Sequence, residues 1–228
     1  MSKIYSFWVG NPEPLSYQTA FDYALSVFRS LDPAIMASNS GTLFDYEQGV
    51  FTVPSFGQRL EVTYPEGKVS FAGTGYAPLL GWRLITINYL ARSDGTSLTG
   101  HLISYRELEN GTIYFKAFQR ESIKPLTELM VKYPEGVIRE TLHQMDGEIS
   151  TGSDFTFVCW AMPRFPITIK LWRPDDELPG SANILFDSAA NHYLHTEDIA
   201  AAGYYASAFS VKLCKLLSGE KGDFFYLM

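Results

Sequence analysis

Between residues 182 and 203 the chain carries its densest set of groups able to do chemistry. Asp187 closes an apolar run, Ile184-Leu185-Phe186, and Ser188 follows it directly. His192 and His195 stand three apart, and Glu197 and Asp198 follow them after Thr196. Imidazoles and carboxylates at this spacing could hold a borderline cation, the histidines giving nitrogen and the acids oxygen. The same groups suit proton transfer, with Asp187, His192 and Glu197 as acid and base. Ser188 lacks a Gly-x-Ser-x-Gly elbow, which argues against a nucleophilic serine. A structural role accounts for these groups more simply. Thr196 reads as the N-cap of a closing helix, with Glu197 and Asp198 as first-turn acids facing the positive end of its dipole. Asp187 reads as an acceptor for backbone amides in the turn to His192.

Three other features invite the same comparison. Asp175-Asp176-Glu177 could hold a hard cation or be a solvated loop. Gly73-Thr74-Gly75 before a helix could cradle a phosphate, but no full nucleotide-binding pattern and no following lysine accompany it. Tyr105, Tyr114, Phe115, Phe118, Trp160 and Trp172 could line an apolar pocket for a flat cofactor, or be core.

The elements that must position these groups follow from apolar spacing and turn residues. Pro12 and Pro14 precede a helical pattern with Ala20, Ala24, Val27, Phe28 and Leu31 on one face, within an N-terminal helical segment over about 12–40. Asp32-Pro33 starts a second helix, stopped by Ser38-Asn39-Ser40-Gly41. Short alternating strands follow at 51–53, 60–64 and 69–71, with a turn at Pro65-Glu66-Gly67. A helix is predicted over about 78–92, with Leu80, Leu84, Ile87 and Ala91 buried and Asp94-Gly95 ending it. Asn110-Gly111 predicts a hairpin between strands at 101–105 and 112–118. Helices are expected at 123–133 and 135–145. Residues 155–162 are apolar on both faces, as in a covered central strand, with Pro163 and Pro166 after it and a further strand at 167–172. The last helix carries a narrow stripe of Ile199, Ala202, Ala206, Phe209, Leu213 and Leu216, with Lys212, Lys215 and Gly219 toward its end. No linker or repeat divides the chain. The expectation is one α+β domain over 1–228, with a mixed, mostly antiparallel sheet and helices at both ends and between hairpins.

Composition bounds the partners. The 228 residues are 46% hydrophobic and 19% charged, as in a globular domain, and the aromatic share is high at 15%. A net charge of −7 with no basic cluster argues against nucleic acid and against anionic membrane surfaces. No signal-peptide pattern and no bilayer-length apolar run are found, so a cytoplasmic location is expected. The two cysteines, Cys159 and Cys214, read as buried free thiols. Without any Cys-x-x-Cys, the chain has no iron–sulfur or zinc-ribbon site of its own.

Two stretches resemble a known family. One runs from Asn88-Tyr-Leu-Ala-Arg-Ser-Asp-Gly-Thr-Ser-Leu-Thr-Gly100 through Tyr105-Arg-Glu-Leu108, Asn110-Gly111 and Lys116-Ala-Phe118 to Arg120. The other joins Met162-Pro-Arg-Phe-Pro166, Leu171-Trp172, Asp176-Glu-Leu-Pro179, Asn183-Ile-Leu-Phe-Asp187 and His192-Tyr-Leu-His-Thr-Glu-Asp198. Together they are similar to the bacterial and archaeal domain-of-unknown-function family 3786, with a family core over about 42–218. That family has no established activity. Some relatives carry an added cysteine-rich iron–sulfur segment and occur in anaerobes that use corrinoid and one-carbon chemistry. The resemblance therefore implies a ligand-binding or accessory domain, a corrinoid or other tetrapyrrole as ligand, and an iron–sulfur or corrinoid protein as partner. The candidate ligand contacts in this chain are Asp187, His192, Glu197, Asp198, Trp172 and Arg164, with His192 as the axial or polar contact. At His195 the family favours proline, so no role carries over to that residue. The alternatives are an enzyme using Asp187, His192 and Glu197, with or without a metal, and a purely protein-binding domain.

Overall fold

The computed structural model describes residues 4–10, 17–220 and 227. Pro12 and Pro14 lie outside the described residues. Helix α1 (Gln18–Ser30) buries Phe21, Ala24 and Phe28, whereas Ala20 faces solvent. Asp32 caps α2 (Pro33–Ser40) by accepting from the Ala34 N–H at 2.7 Å, with Pro33 at the first position. Gly41 closes that helix in the left-handed region, at φ 69°.

Strands β1 (Leu43–Asp45), β2 (Val50–Ser55), β3 (Gln58–Thr63) and β4 (Val69–Phe71) form an antiparallel sheet in sequence order. Phe56 and Gly57 turn β2 into β3 with φ of 48° and 74°, the pair of positive angles a two-residue hairpin needs. Helix α3 (Leu80–Arg92) packs against both α1 and the last helix. It is therefore buried around more of its circumference than one stripe. Trp82, Ile85, Thr86, Tyr89 and Leu90 join Ile87 inside, while Leu80, Leu84 and Ala91 are half-buried.

The expected hairpin at Asn110-Gly111 does not form. Strand β5 is only Leu102–Ser104, and residues 112–118 lie in helix α4 (Gly111–Phe118). Asn110 does take the left-handed conformation, at φ 57°, but Gly111 does not follow it and enters the helix. One left-handed residue turns the chain into a helix start, where two would have made a hairpin. The helix expected at 123–133 is also broken. Gln119–Ile123 is a wide helical turn and Lys124–Leu126 a 3-10 turn around Pro125, whose missing N–H interrupts the ladder. Helix α5 (Leu129–Lys132) and helix α6 (Glu135–Gln144) follow.

The second sheet contains β6 (Glu148–Ser150), β7 (Phe155–Met162), β8 (Phe165–Trp172) and β9 (Ser181–Asp187), with β5 added beside β9. Its order is β5-β9-β8-β7-β6, antiparallel throughout. Pro166 does not separate the strands: it lies inside β8 opposite Trp160, next to an irregularity in register. The architecture is α+β in one domain, but with two antiparallel sheets in place of one mixed sheet.

Helix α7 (Thr196–Leu217) buries the expected Ile199, Ala202, Ala206, Phe209 and Leu213, and also Gly203, Tyr205, Ser210 and Cys214. Its apolar face is broad because α3, α6 and the segment after α4 all lie against it. The sheets meet where the tip of β2–β3 touches β7. There the Phe56 N–H donates to the Trp160 carbonyl at 2.8 Å, and Ser55 Oγ donates to the Ala161 carbonyl at 2.6 Å. Trp8, Phe56, Trp82 and Phe209 pack edge-on or tilted around this junction, with centroids 5.0–6.3 Å apart.

Candidate functional site

The sequence-derived candidates separate into two places, and one stands alone. Asp187, His192 and Arg164 surround the loop 94–101, which crosses from α3 to β5. Asp187 ends β9 and is 4% exposed. Its carboxylate accepts from the N–H groups of Thr99 (3.1 Å), Gly100 (2.7 Å) and Ala189 (2.9 Å), and from the Thr99 hydroxyl (2.9 Å). Burial alone would raise its pKa, but these donors outweigh it and hold the carboxyl below its ordinary value. Asp187 therefore has the backbone-bonding role, extended to the far side of the loop.

His192 ends a 3-10 turn, Ala190–His192, and is exposed. Its Nδ1 lies 2.7 Å from Asp94 Oδ2 and 3.2 Å from the Thr96 hydroxyl. The bonds from His192 and then Thr96 bring Asp94 down to about 2. An ionised carboxylate only accepts, so the proton of this bond sits on Nδ1. Arg164 follows Pro163 in the β7–β8 turn. Its N–H donates to the Tyr89 phenol oxygen at 2.9 Å, and Nη1 donates to the Gly95 carbonyl at 3.3 Å. Tyr193 donates to the Thr96 carbonyl. The loop is thus tied to the β7–β8 turn and the end of β9, and each of the three candidates gives it at least one hydrogen bond.

Glu197 and Asp198 lie elsewhere, because α7 carries them away from the loop. The residue at the N-cap of α7 is His195, without a side-chain cap bond, and Thr196 is the first helical residue. Thr196 is not free to cap: it is buried, donates to the Glu109 carbonyl, and accepts from Asn191 Nδ2 at 3.2 Å. Asn191 also accepts from the Glu109 N–H at 3.0 Å and, through its carbonyl, from Arg92 at 3.0 and 3.2 Å. Asn191 carries no signal of this in the sequence, since its role depends on three segments meeting. Glu197 is exposed, whereas Asp198 is 9% exposed. Both Asp198 oxygens accept from one nitrogen, Asn88 Nδ2, at 3.0 Å each. Desolvation dominates here and pushes the Asp198 pKa up.

Asp198 and Glu197 line a cleft of about 540 Å³ between α3, α4 and α7. Tyr17, Tyr105, Tyr114, Phe118, Tyr204 and Tyr205 form its aromatic lining, and Glu121 adds a third carboxylate. Gly81, Ala117, Ala200 and Ala201 make room for it on the facing helices. Tyr105 stacks on Phe118 with centroids 4.2 Å apart and donates to the Thr196 carbonyl at 3.1 Å. Burial pushes Tyr105 and Tyr205 up to about 12, so both phenols stay protonated. Of the aromatic residues named from the sequence, Tyr105, Tyr114 and Phe118 reach this cleft. Tyr17 before α1, Glu121 in the turn after α4, and Tyr204 and Tyr205 on α7 carry no site signal in the sequence, because only packing brings these three segments together.

The remaining candidates are structural. Trp172 pairs with Ser181 at the opposite end of β9 from Asp187, roughly 20 Å away at the usual rise of a strand. Asp175 accepts from the N–H groups of Glu177 (2.9 Å) and Leu178 (2.7 Å), as in an exposed turn. Gly73 and Gly75 precede α3 by several residues, so they do not open that helix toward a phosphate. Cys159 and Cys214 are buried and free, pushed up by burial to about 12 and about 11. Among the described residues no group of three or more His, Cys, Asp or Glu could hold a metal ion. No described helix is long and apolar enough to cross a membrane. A larger cavity, about 690 Å³, opens at the junction of the sheets beside Gln58, Arg59, Asp146 and Trp160. The smaller cleft is the stronger candidate because an aromatic lining and a carboxylate with a raised pKa converge in it.

Among curated proteins and solved structures, nothing matches the chain. A family model described as a domain of unknown function, DUF3786, matches residues 32–208. The match begins at the cap of α2 and takes in both sheets, the loop 94–101 and all of the cleft lining except Tyr17. It covers well over half of the sequence, and the chain therefore belongs to the DUF3786 family.

Proposed function

We propose that the protein is a small-molecule-binding domain, not a stand-alone enzyme, and that its ligand sits in the cleft between α3, α4 and α7. The observation that carries this reading is the buried Asp198 carboxylate on a tyrosine-lined wall, in a cleft of ligand-binding size. Tyrosine rings offer broad, rigid contact area to a flat molecule, and carboxylates orient its donors. An enzymatic role for Asp187, His192 and Glu197 finds no support in their arrangement. Asp187 is saturated by the loop, His192 is bonded to Asp94, and Glu197 faces the cleft.

A corrinoid or other tetrapyrrole is the flat ligand to test first. In the cleft it would lie against tyrosines, since His192 does not line it. Both thiols are buried and free, so iron–sulfur chemistry would come from a partner protein in this reading. Cobalamin and haem titrated into the wild type and into Tyr204→Ala, followed by absorbance, test it. A saturable change at micromolar ligand that weakens in the variant supports a tetrapyrrole in the cleft. An unchanged spectrum removes that class. The cleft itself loses its assignment if the amine probes described next also fail to bind.

A further inference from the structure

Resting on the reading of the cleft as a ligand site, we infer that the group it takes is an organic cation, an amine or quaternary ammonium borne on a ring or short alkyl arm. The composition of the walls decides the sign. Glu121, Glu197 and Asp198 line the cleft together with five tyrosines, and no Lys, Arg or His does. An anion would meet Glu197 and Asp198 unpaired, since the one arginine at hand, Arg120 outside the lining, is engaged with Glu121 at 2.5 Å. A neutral ring would gain stacking but would further desolvate carboxylates that it could not pair. A cation gains on both counts, because the negative face of an aromatic ring attracts it as the carboxylates do.

The geometry supports the same sign. Tyr17, Tyr114 and Tyr204 are 59%, 42% and 44% exposed, so their rings remain accessible at the mouth. Tyr105 and Tyr205 are 1% and 8% exposed and give the cleft a rigid base. Asp198 has no ion-pair partner among the described residues; its donors are neutral, the Asn88 amide nitrogen shared by both oxygens and the His195 backbone N–H. His195, at the start of the same helix, is the nearby group that could bring positive charge, and only when protonated. The first turn of α7 tolerates the Glu197 and Asp198 charges at the positive end of its dipole. A ligand ammonium would complete the pairing.

The test uses the full chain at low salt with benzyltrimethylammonium and phenethylamine as probes, beside benzyl alcohol and benzoate, followed by ligand-observed NMR. The two cations are expected to bind with Kd below about 1 mM, and benzoate not to bind. Asp198→Asn should weaken phenethylamine roughly tenfold, the loss expected for one charged hydrogen bond, and benzyltrimethylammonium, which has no N–H to donate, by less, through the lost charge attraction alone. Glu197→Gln, on the exposed rim, should weaken them about twofold to threefold. Far-UV circular dichroism establishes that each variant is folded, and the rim variant keeps the test valid if Asp198→Asn is not. Benzyl alcohol or benzoate binding as tightly as benzyltrimethylammonium overturns the inference. So does cation affinity that is unchanged in the folded variants. Tetrapyrrole binding that Tyr204→Ala weakens, without amine binding, removes the charge assignment and leaves the cleft as the ligand site. If neither class binds, both readings fall.

Discussion

Asp187 and Asp198 are both buried carboxylates, yet their surroundings drive them in opposite directions. Three backbone N–H groups and a hydroxyl converge on Asp187, whereas Asp198 has the Asn88 amide nitrogen and, with the smallest effect, the His195 backbone N–H. Asp187→Ala would leave the N–H groups of Thr99, Gly100 and Ala189 without their acceptor. It should cost about 2–4 kcal/mol in urea denaturation, and an undiminished stability would contradict the anchoring role. A carboxyl held below its unfolded pKa stabilises the fold above the ordinary value of about 3.9, and that contribution disappears as the pH falls. Asp187 and Asp94 act in this sense, so stability should decline from about pH 4 downward, with the Asp94 share lost on approaching pH 2. Asp94 is half-exposed in its pair with His192, so solvent screening keeps its share small. For Asp198 the sign reverses. Its raised pKa favours the fold below the ordinary carboxylate value, and that contribution is lost as the pH rises through the folded pKa. Asp198→Asn is therefore expected to leave stability equal or higher at pH 7, and urea melts at pH 7 and pH 4 would expose a destabilisation that contradicts this.

At the scale of elements, close approach of backbone and rings selects glycine on two helices that line the cleft. A Cβ on Gly111 would run into the Tyr105 carbonyl oxygen, and one on Gly203 would come within 2.7 Å of the Phe118 ring. In an unhindered helix, glycine to alanine gains about 1 kcal/mol. Both Gly111→Ala and Gly203→Ala should instead destabilise, by more than about 1 kcal/mol, because the added methyl overpacks its surroundings. A gain in thermal stability in either variant would show that the approach is looser than described. Asn110-Gly111 shows how a local signal is overruled here. The asparagine keeps its preferred left-handed conformation, but the glycine serves a packing need that a hairpin motif does not encode.

At the scale of the molecule, the two sheets share one core through the β2–β3 tip. Ser55 lies between them, donating to Ala161 and accepting from Trp82 Nε1 at 2.8 Å. Ser55→Ala would strand a buried indole N–H and should cost about 1–3 kcal/mol. Trp8 and Trp82 sit at this junction, so their fluorescence reports on the contact between the sheets. Because buried residues from both sheets and α7 form one cluster, tryptophan fluorescence and far-UV circular dichroism should unfold with a common midpoint. Two separated transitions would mean that the sheets are held independently.

By itself the sequence determined whatever depends on neighbours in the chain. Asp32-Pro33 and Gly41 bound α2, β7 spans the run 155–162 that is apolar on both faces, and the stripe on α7 was legible from its spacing. These follow from backbone preference and side-chain period, which are local. The family was legible too, since long motifs survive as linear strings. Only the tertiary structure decided what each polar group faces. It sent Asp187 and His192 to one loop and Glu197 and Asp198 to a cleft, although all four lie within twelve residues. It also brought Tyr17, Tyr114 and Tyr204 to that cleft from three separate helical segments. Sequence spacing fixes a direction along one element, whereas a site is made where the faces of several elements meet, and that depends on how they pack.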